Sequence, residues 1–177
     1  MGYDEEWLGA SLRKLPMWGD DDLATSFEWP TEEAWNLMDP NTSITSIDFA
    51  SNHKHEAKVA WCRVHYSDGE VKTFESINPS SGRAFPNHNH DTANFDVALA
   101  TPIRAVKAAS HKNGTDALKF LDAHDQVVTQ YNPFDRDYGK TVKIAENEEI
   151  VGVYGNNEKG KTFRNFGFIV KVKPDLD

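Results

Sequence analysis

The chain has 177 residues, a formal net charge of −9, 38% hydrophobic residues and 27% charged residues. This composition is typical of one globular domain that is long enough to bury a core. The acidic balance argues against nucleic acid as a ligand, and no apolar run is long enough to span a bilayer. The acidic N-terminus does not resemble a secretory signal, and Cys62 is the only cysteine. Both features leave the cellular location open but favour an intracellular one.

Residues 1–40 form an acidic segment that is rich in tryptophan. Ten acidic and two basic residues give it a net charge of −8, whereas the 18 acidic and 17 basic residues of 41–177 nearly cancel. The spacing of Trp7, Leu8, Leu12 and Leu15 predicts a short helix that begins at Asp4 and ends at Pro16. A second short helix is predicted over 31–38, and part of residues 16–29 is a candidate first strand. We expect this N-terminal extension to pack on the body, residues 41–173, or to bind a protein partner or a second copy.

From residue 41 onward the sequence predicts short strands separated by turns. A hairpin is predicted around Asp68-Gly69, because Asp-Gly supplies tight-turn geometry, and another is predicted over residues 122–125. Strands 95–99 and 103–109 are predicted to form a further pair, and residues 77–94 a long loop. The predicted strands are 44–49, 57–66, 71–76, 95–99, 103–109, 116–121, 126–131, 142–145, 150–154 and 163–172. Their regular spacing predicts an all-β sandwich, barrel or prism.

The segment Gly155-x-x-x-x-Gly160-Lys161-Thr162 matches the phosphate-binding P-loop pattern. A P-loop requires a helix after the Lys-Thr pair, because the helix N-terminus faces the phosphates. Residues 163–173 instead alternate, with Phe166 and Phe168 on one face. The alternation favours a hairpin, and phosphate or nucleotide binding through 155–162 remains the less favoured hypothesis.

The order of the strands resembles that of the jacalin-related lectins, which fold as a β-prism of three four-stranded sheets. Three blocks are similar to the family: the strand 44–49 with the hairpin 57–76; the run 95–122 with its Leu118-Lys-Phe120 sequence; and the terminal hairpin from Ile150 to Gly167. Trp18-Gly19 followed by Phe27 is similar to the family's first strand and loop. The resemblance covers residues 16–172 and implies a divergent jacalin-like β-prism of short antiparallel strands.

The resemblance also implies where a sugar would bind, and there the sequence departs from the pattern. The family combines a Gly-Gly loop after the first strand with a Gly-x-x-x-Asp loop before the last. Here Gly19 is followed by three aspartates, and Gly160 is followed four residues later by Arg164. We expect Arg164 to reach the aspartates by a forked contact that closes the pocket to simple sugars. The candidate ligand-binding residues are Asp20, Asp21, Asp22, His111, Asn113, Gly155, Lys159, Gly160, Lys161 and Arg164.

Two loops contain paired histidines of the kind that can bind transition metals. The candidate metal ligands are His53, His55, His88, His90 and Asp91. Surface loops also collect His and Asn without binding metal, so no cofactor is predicted.

Cys62 lies in an apolar run and is expected to pack, and no pattern of catalytic residues indicates an enzyme.

The sequence leaves two main hypotheses. The first is a non-catalytic β-prism that mediates protein–protein interaction or assembly. The alternative is a carbohydrate-binding lectin with a remodelled site.

Overall fold

The computed structural model describes residues 7–20, 22–53, 56–75, 92–95, 102–111, 114–131, 138–157 and 162–174. These residues form thirteen strands and one short helix. The strands are β1 (Ser11–Lys14), β2 (Trp18–Gly19), β3 (Phe27–Trp29), β4 (Ile44–His53), β5 (Glu56–Tyr66), β6 (Val71–Glu75), β7 (Thr92–Phe95), β8 (Ala105–His111), β9 (Gly114–Leu121), β10 (Val127–Tyr131), β11 (Thr141–Lys143), β12 (Glu148–Asn156) and β13 (Asn165–Val172), and the helix is α1 (Glu32–Leu37).

The strands form three antiparallel sheets. The first sheet has the order β1-β13-β12-β3, with β2 also paired to β13. The second sheet has the order β10-β9-β8-β11, and the third has the order β6-β5-β4-β7. Chain-distant strands therefore meet in the first sheet, which joins the N-terminal strands to the last hairpin. The predicted all-β prism is confirmed.

The core lies where the inner faces of the three sheets meet. Phe49 of the third sheet lies with its ring centroid 6.1 Å from that of Phe120 in the second sheet and 5.9 Å from that of Phe166 in the first. Phe168 of β13 also packs edge-on against Phe120, at 5.7 Å. These rings are fully buried. Edge-to-face and offset contacts of this kind are favourable beyond the area they bury.

The N-terminal segment is part of this packing. Trp7, Trp18 and Trp35 are buried, and Leu15 joins the same apolar cluster. The helix predicted before Pro16 is wrong for residues 11–14, which form strand β1 and pair with β13. The backbone hydrogen bonds of that pairing outweigh the weak helical pattern. The second predicted helix is confirmed as α1, where the Thr31 side chain accepts a hydrogen bond from the Ala34 N–H. The division of the chain near residue 40 stays a prediction.

The hairpins predicted at Asp68-Gly69 and over 122–125 are confirmed as β5–β6 and β9–β10. The predicted pairing of 95–99 with 103–109 is wrong for the described residues. Strand β7 pairs with β4 in the third sheet, whereas β8 pairs with β9 and β11 in the second. Residues 92–94, predicted to end a long loop, belong to β7, while 77–91 and 96–101 lie outside the described residues.

Lys171 attaches the N-terminal segment to the outer face of the first sheet. Its fully buried Nζ donates hydrogen bonds to the carbonyl oxygens of Pro40 (3.1 Å) and Thr42 (2.9 Å). The same atom lies 3.2 Å from the carboxylate of Glu149 and 4.4 Å from the ring centroid of Trp7. Strand β13 is thus covered on both faces.

The described helix α1, at six residues, is too short to cross a bilayer.

Candidate functional site

The β2–β3 loop and the β12–β13 loop lie against each other at one end of the first sheet. The backbone N–H of Asp20 donates to the carbonyl of Arg164 (2.9 Å), and the N–H of Ser26 donates to the carbonyl of Gly155 (2.8 Å). Both loops extend from strands that pair with β13 or β12, so the sheet fixes their positions. We call the described residues of these two loops, 20, 22–26, 156–157 and 162–164, the loop pair.

Gly19 allows the two backbones of the loop pair to approach closely. Its φ angle is +99°, a backbone conformation that residues with a side chain rarely adopt. A Cβ atom at this position would lie 2.4 Å from the carbonyl oxygen of Arg164. Any larger residue would therefore push the first loop away from the last hairpin.

Two buried asparagines hold the first loop in place. The side-chain amide of Asn165 donates to the carbonyls of Asp20 (2.7 Å) and Leu23 (3.3 Å). The amide of Asn156 donates to the carbonyl of Ala24 (2.7 Å). Sequence reasoning missed both residues, because nothing near either asparagine in the sequence indicates its acceptors in the first loop. These hydrogen bonds from buried side chains to three carbonyls of the loop give it one defined conformation.

Arg164 and Asp20 are the charged residues that the structure brings together in the loop pair. Their closest atoms, Nη2 of Arg164 and Oδ2 of Asp20, are 3.9 Å apart. The predicted proximity is present, but the predicted forked contact is absent, because 3.9 Å is longer than a hydrogen bond. The other carboxylate oxygen of Asp20 accepts from the N–H of Asp22 at 3.1 Å. Asp20 is thus held by its own turn and not by the guanidinium.

The structure describes only some of the other predicted ligand residues. Asp22 lies exposed in the first loop, Gly155 belongs to β12, and His111 ends β8 in the second sheet. The other predicted ligand residues lie outside the described residues; these are Asp21, Asn113, Lys159, Gly160 and Lys161. Thr162 is followed by strand β13 and not by a helix, so the helix that a P-loop requires is absent.

The predicted metal ligands His55, His88, His90 and Asp91 lie outside the described residues, and only the backbone of His53 is described, at the end of β4. Within the described ranges, no three His, Cys, Asp or Glu side chains come together. Cys62 is fully buried on β5, and burial raises the pKa of its thiol far above the ordinary cysteine value. It packs as predicted, because a buried thiol with so high a pKa is not an available nucleophile.

A separate cavity of about 380 Å³ lies on the outer face of the first sheet. Leu12, Pro30 and Ile169 provide its apolar surface, and an ion pair between Lys14 and Glu28 lies at its wall. It is lined by β1, β3, β13 and the start of α1, and none of its lining residues belongs to the loop pair. The loop pair and this cavity are therefore two distinct surface features.

Comparison with known proteins identifies the fold. No family model matches the chain, and no curated protein matches its sequence. Among solved structures, frutalin from Artocarpus incisa superposes with a TM-score of 0.57 at 16% identity, over 90% of this chain and 95% of that one. Recombinant single-chain jacalin gives 0.57 at 16% identity, over 92% and 95%. The chain has the jacalin-like lectin fold.

Other structures with this jacalin-like fold differ in how much of their length the chain spans. A mannose-binding lectin from champedak has a TM-score of 0.54 at 14% identity, with 92% of this chain and 99% of that one covered. PirB gives 0.62 at 14% identity, but the chain covers only 41% of it. A lamprey immune protein gives 0.55 at 14% identity with 47% of its length covered. The chain therefore spans less than half of these two larger proteins, and such low identities establish the fold alone.

Proposed function

We propose that the chain is a non-catalytic carbohydrate-binding module whose ligand site is the loop pair. The observation that supports this most is the direct backbone contact between the first loop and the last hairpin, at a glycine that leaves no room for a side chain. Solved structures with a similar fold include two proteins named as lectins, and the match covers nearly the whole length of each. The proposal transfers their general role to this chain and leaves the sugar open.

The loop pair has the chemistry that a sugar requires. Sugar hydroxyls both donate and accept, so a site needs fixed groups of both kinds. Asp22 offers an exposed carboxylate, and the side chain of Arg164 is partly exposed with donor groups only. The asparagine and backbone bonds described above hold the loops before a ligand arrives. A site fixed in advance loses less entropy on binding.

A glycan array probed with the intact chain tests this proposal. The Arg164→Asp variant restores the acid of the lectin pattern and should change which glycans are retained. The matched control is Arg63→Asp, since Arg63 lies on the third sheet with its guanidinium 4.9 Å from the Trp61 ring. We expect the control to bind as the parent does. The proposal fails if no glycan is retained, or if Arg164→Asp leaves the pattern unchanged.

A second candidate function is docking of a protein partner on the N-terminal segment. Leu37 of α1 is 87% exposed and Leu8 is 64% exposed, so both offer apolar surface to a partner. The segment around them has a net charge of −8, so its partner would combine a basic surface with an apolar one. Light scattering and affinity capture with the Leu37→Ser variant test this idea. The matched control is Val127→Ser, an exposed apolar residue on the second sheet, and equal losses for both variants would contradict it.

A further inference from the structure

The backbone on both sides of Arg164 is fixed, so its side chain is presented from a rigid position. The N–H of Arg164 donates to the carbonyl of Asn156 (2.8 Å), and its carbonyl accepts from Asp20 (2.9 Å). The next residue, Asn165, is fully buried and begins β13. The guanidinium therefore projects from a point that cannot shift without breaking the contact between the two loops.

The guanidinium has donors that the described residues leave unused. Its Nε has no hydrogen-bond partner in the described part of the chain but is buried, so a ligand would meet the guanidinium at its Nη atoms. Its Nη2 has Asp20 as its nearest acidic group, at 3.9 Å, and the side chain as a whole is 35% exposed. Arginine has no acceptor, so an added ligand at this point must supply oxygen atoms that accept. A carboxylate or a sulfate does so with two oxygens in the fork geometry that arginine prefers.

Asp20 does not occupy the place of such a ligand. One of its oxygens accepts from the Asp22 N–H, which ties the carboxylate to its own turn. The other oxygen is too far from Nη2 for a hydrogen bond, and a partly exposed pair of this kind contributes little stability. A ligand oxyanion that bonds directly to the guanidinium would therefore outcompete Asp20.

We propose that the loop pair selects glycans that have a carboxylate or a sulfate group, and that Arg164 binds that group. The inference rests on the proposed function, because it names the class of sugar for the same site. An anionic ligand also explains why this chain has Arg164, a hydrogen-bond donor, where the lectin pattern has an aspartate, an acceptor. Sialic acids, uronic acids and sulfated sugars all share this anionic chemistry.

The test uses an array that presents neutral, sialylated, uronic-acid and sulfated glycans on common scaffolds, followed by calorimetric titration of the best ligand and its neutral counterpart. We expect the anionic glycan to bind at least about tenfold more tightly, the scale of one bidentate charged contact. Arg164→Gln should remove this preference, with Arg63→Gln as its control. Asp20→Asn should strengthen anionic binding about threefold, because the amide keeps the acceptor of the turn and removes the competing charge. Its control is Asp122→Asn, where an aspartate holds a similar turn in the second sheet.

The outcomes separate the inference from the proposed function. Binding of neutral glycans that equals or exceeds binding of their anionic counterparts overturns the inference and leaves the carbohydrate role in place. An array on which nothing binds overturns both. An anionic preference that survives Arg164→Gln, or that weakens in Asp20→Asn, also overturns the assignment to Arg164. The sialylated, uronic-acid and sulfated arms identify which source of the anion is preferred.

Discussion

Replacing Lys171 with methionine tests how the N-terminal segment is attached to the first sheet. The Lys171→Met change keeps a long side chain against the Trp7 ring, but it removes the ammonium group. Two hydrogen bonds to the carbonyls of Pro40 and Thr42 are lost, together with the ion pair to Glu149. We expect the variant to fold with reduced stability, because the segment from Pro40 to Thr42 loses its bonds to β13.

The size of the effect follows from the surroundings of each group. A hydrogen bond to a charged group contributes about 1.5–3 kcal/mol, and a buried carbonyl left without a partner costs about 1–3 kcal/mol. Glu149 is partly exposed, so water can solvate its carboxylate once the lysine is gone. Methionine also avoids the cost of burying an ammonium group. The balance predicts a loss of about 2–4 kcal/mol in the free energy of unfolding, which lowers Tm by about 4–15 °C.

Urea unfolding followed by tryptophan fluorescence measures this loss, and thermal unfolding followed by circular dichroism checks it. The matched control is Lys143→Met, since Lys143 is an exposed lysine on β11 of the second sheet. Its stability should stay within about 0.5 kcal/mol of the parent, as for most surface changes. If Lys171→Met is as stable as this control, the reasoning about the buried ammonium is refuted.

Three further predictions concern other parts of the fold. In urea titrations, Gly19→Ala should lower the free energy of unfolding by at least about 1 kcal/mol more than Gly69→Ala does. Both glycines have a positive φ angle, but of the two only Gly19 would place a Cβ atom against another backbone segment. The pKa of Asp122 should lie below that of an ordinary aspartate in a carboxyl NMR titration, because the backbone N–H groups of Gln126 and His124 donate to it. The Asp122 carboxylate therefore stabilises the fold at pH values above its unfolded-state pKa, and this stabilisation is lost as the pH falls through its folded-state pKa. The Asp122→Asn variant should lack this part of the pH dependence of stability. A chain that starts at residue 41 should show no cooperative unfolding by circular dichroism, because it lacks the buried Trp18 and strands β1–β3.

Local patterns in the sequence predicted the hairpins and the character of the last strand. The turn at 122–125 depends on Asp122, whose side chain accepts from two backbone N–H groups within the same turn. The alternation of Phe166 and Phe168 was sufficient to reject a helix after Thr162, despite the match to the P-loop pattern. In both cases the interactions that determine the structure involve residues close in the sequence.

Features that depend on distant partners were predicted poorly. The leucines before Pro16 fall at helical spacing, but pairing with β13 makes residues 11–14 a strand. Nothing near β7 in the sequence indicates that its partner is β4. In the candidate site, the aspartate loop and Arg164 were found because they depart from the jacalin pattern. The roles of Asn156 and Asn165 could not be found, since their acceptors lie more than 130 residues away in the chain.

Mapping the best glycan of the array onto the chain by NMR tests the central claim most directly. The account predicts that titration shifts the backbone amide signals of Gly19, Asp20, Arg164 and Asn165, while those of Leu12 and Ile169 at the separate cavity stay unchanged. A shift pattern centred on Leu12 and Ile169, with the loop pair unaffected, would contradict the proposal that the loop pair is the carbohydrate site.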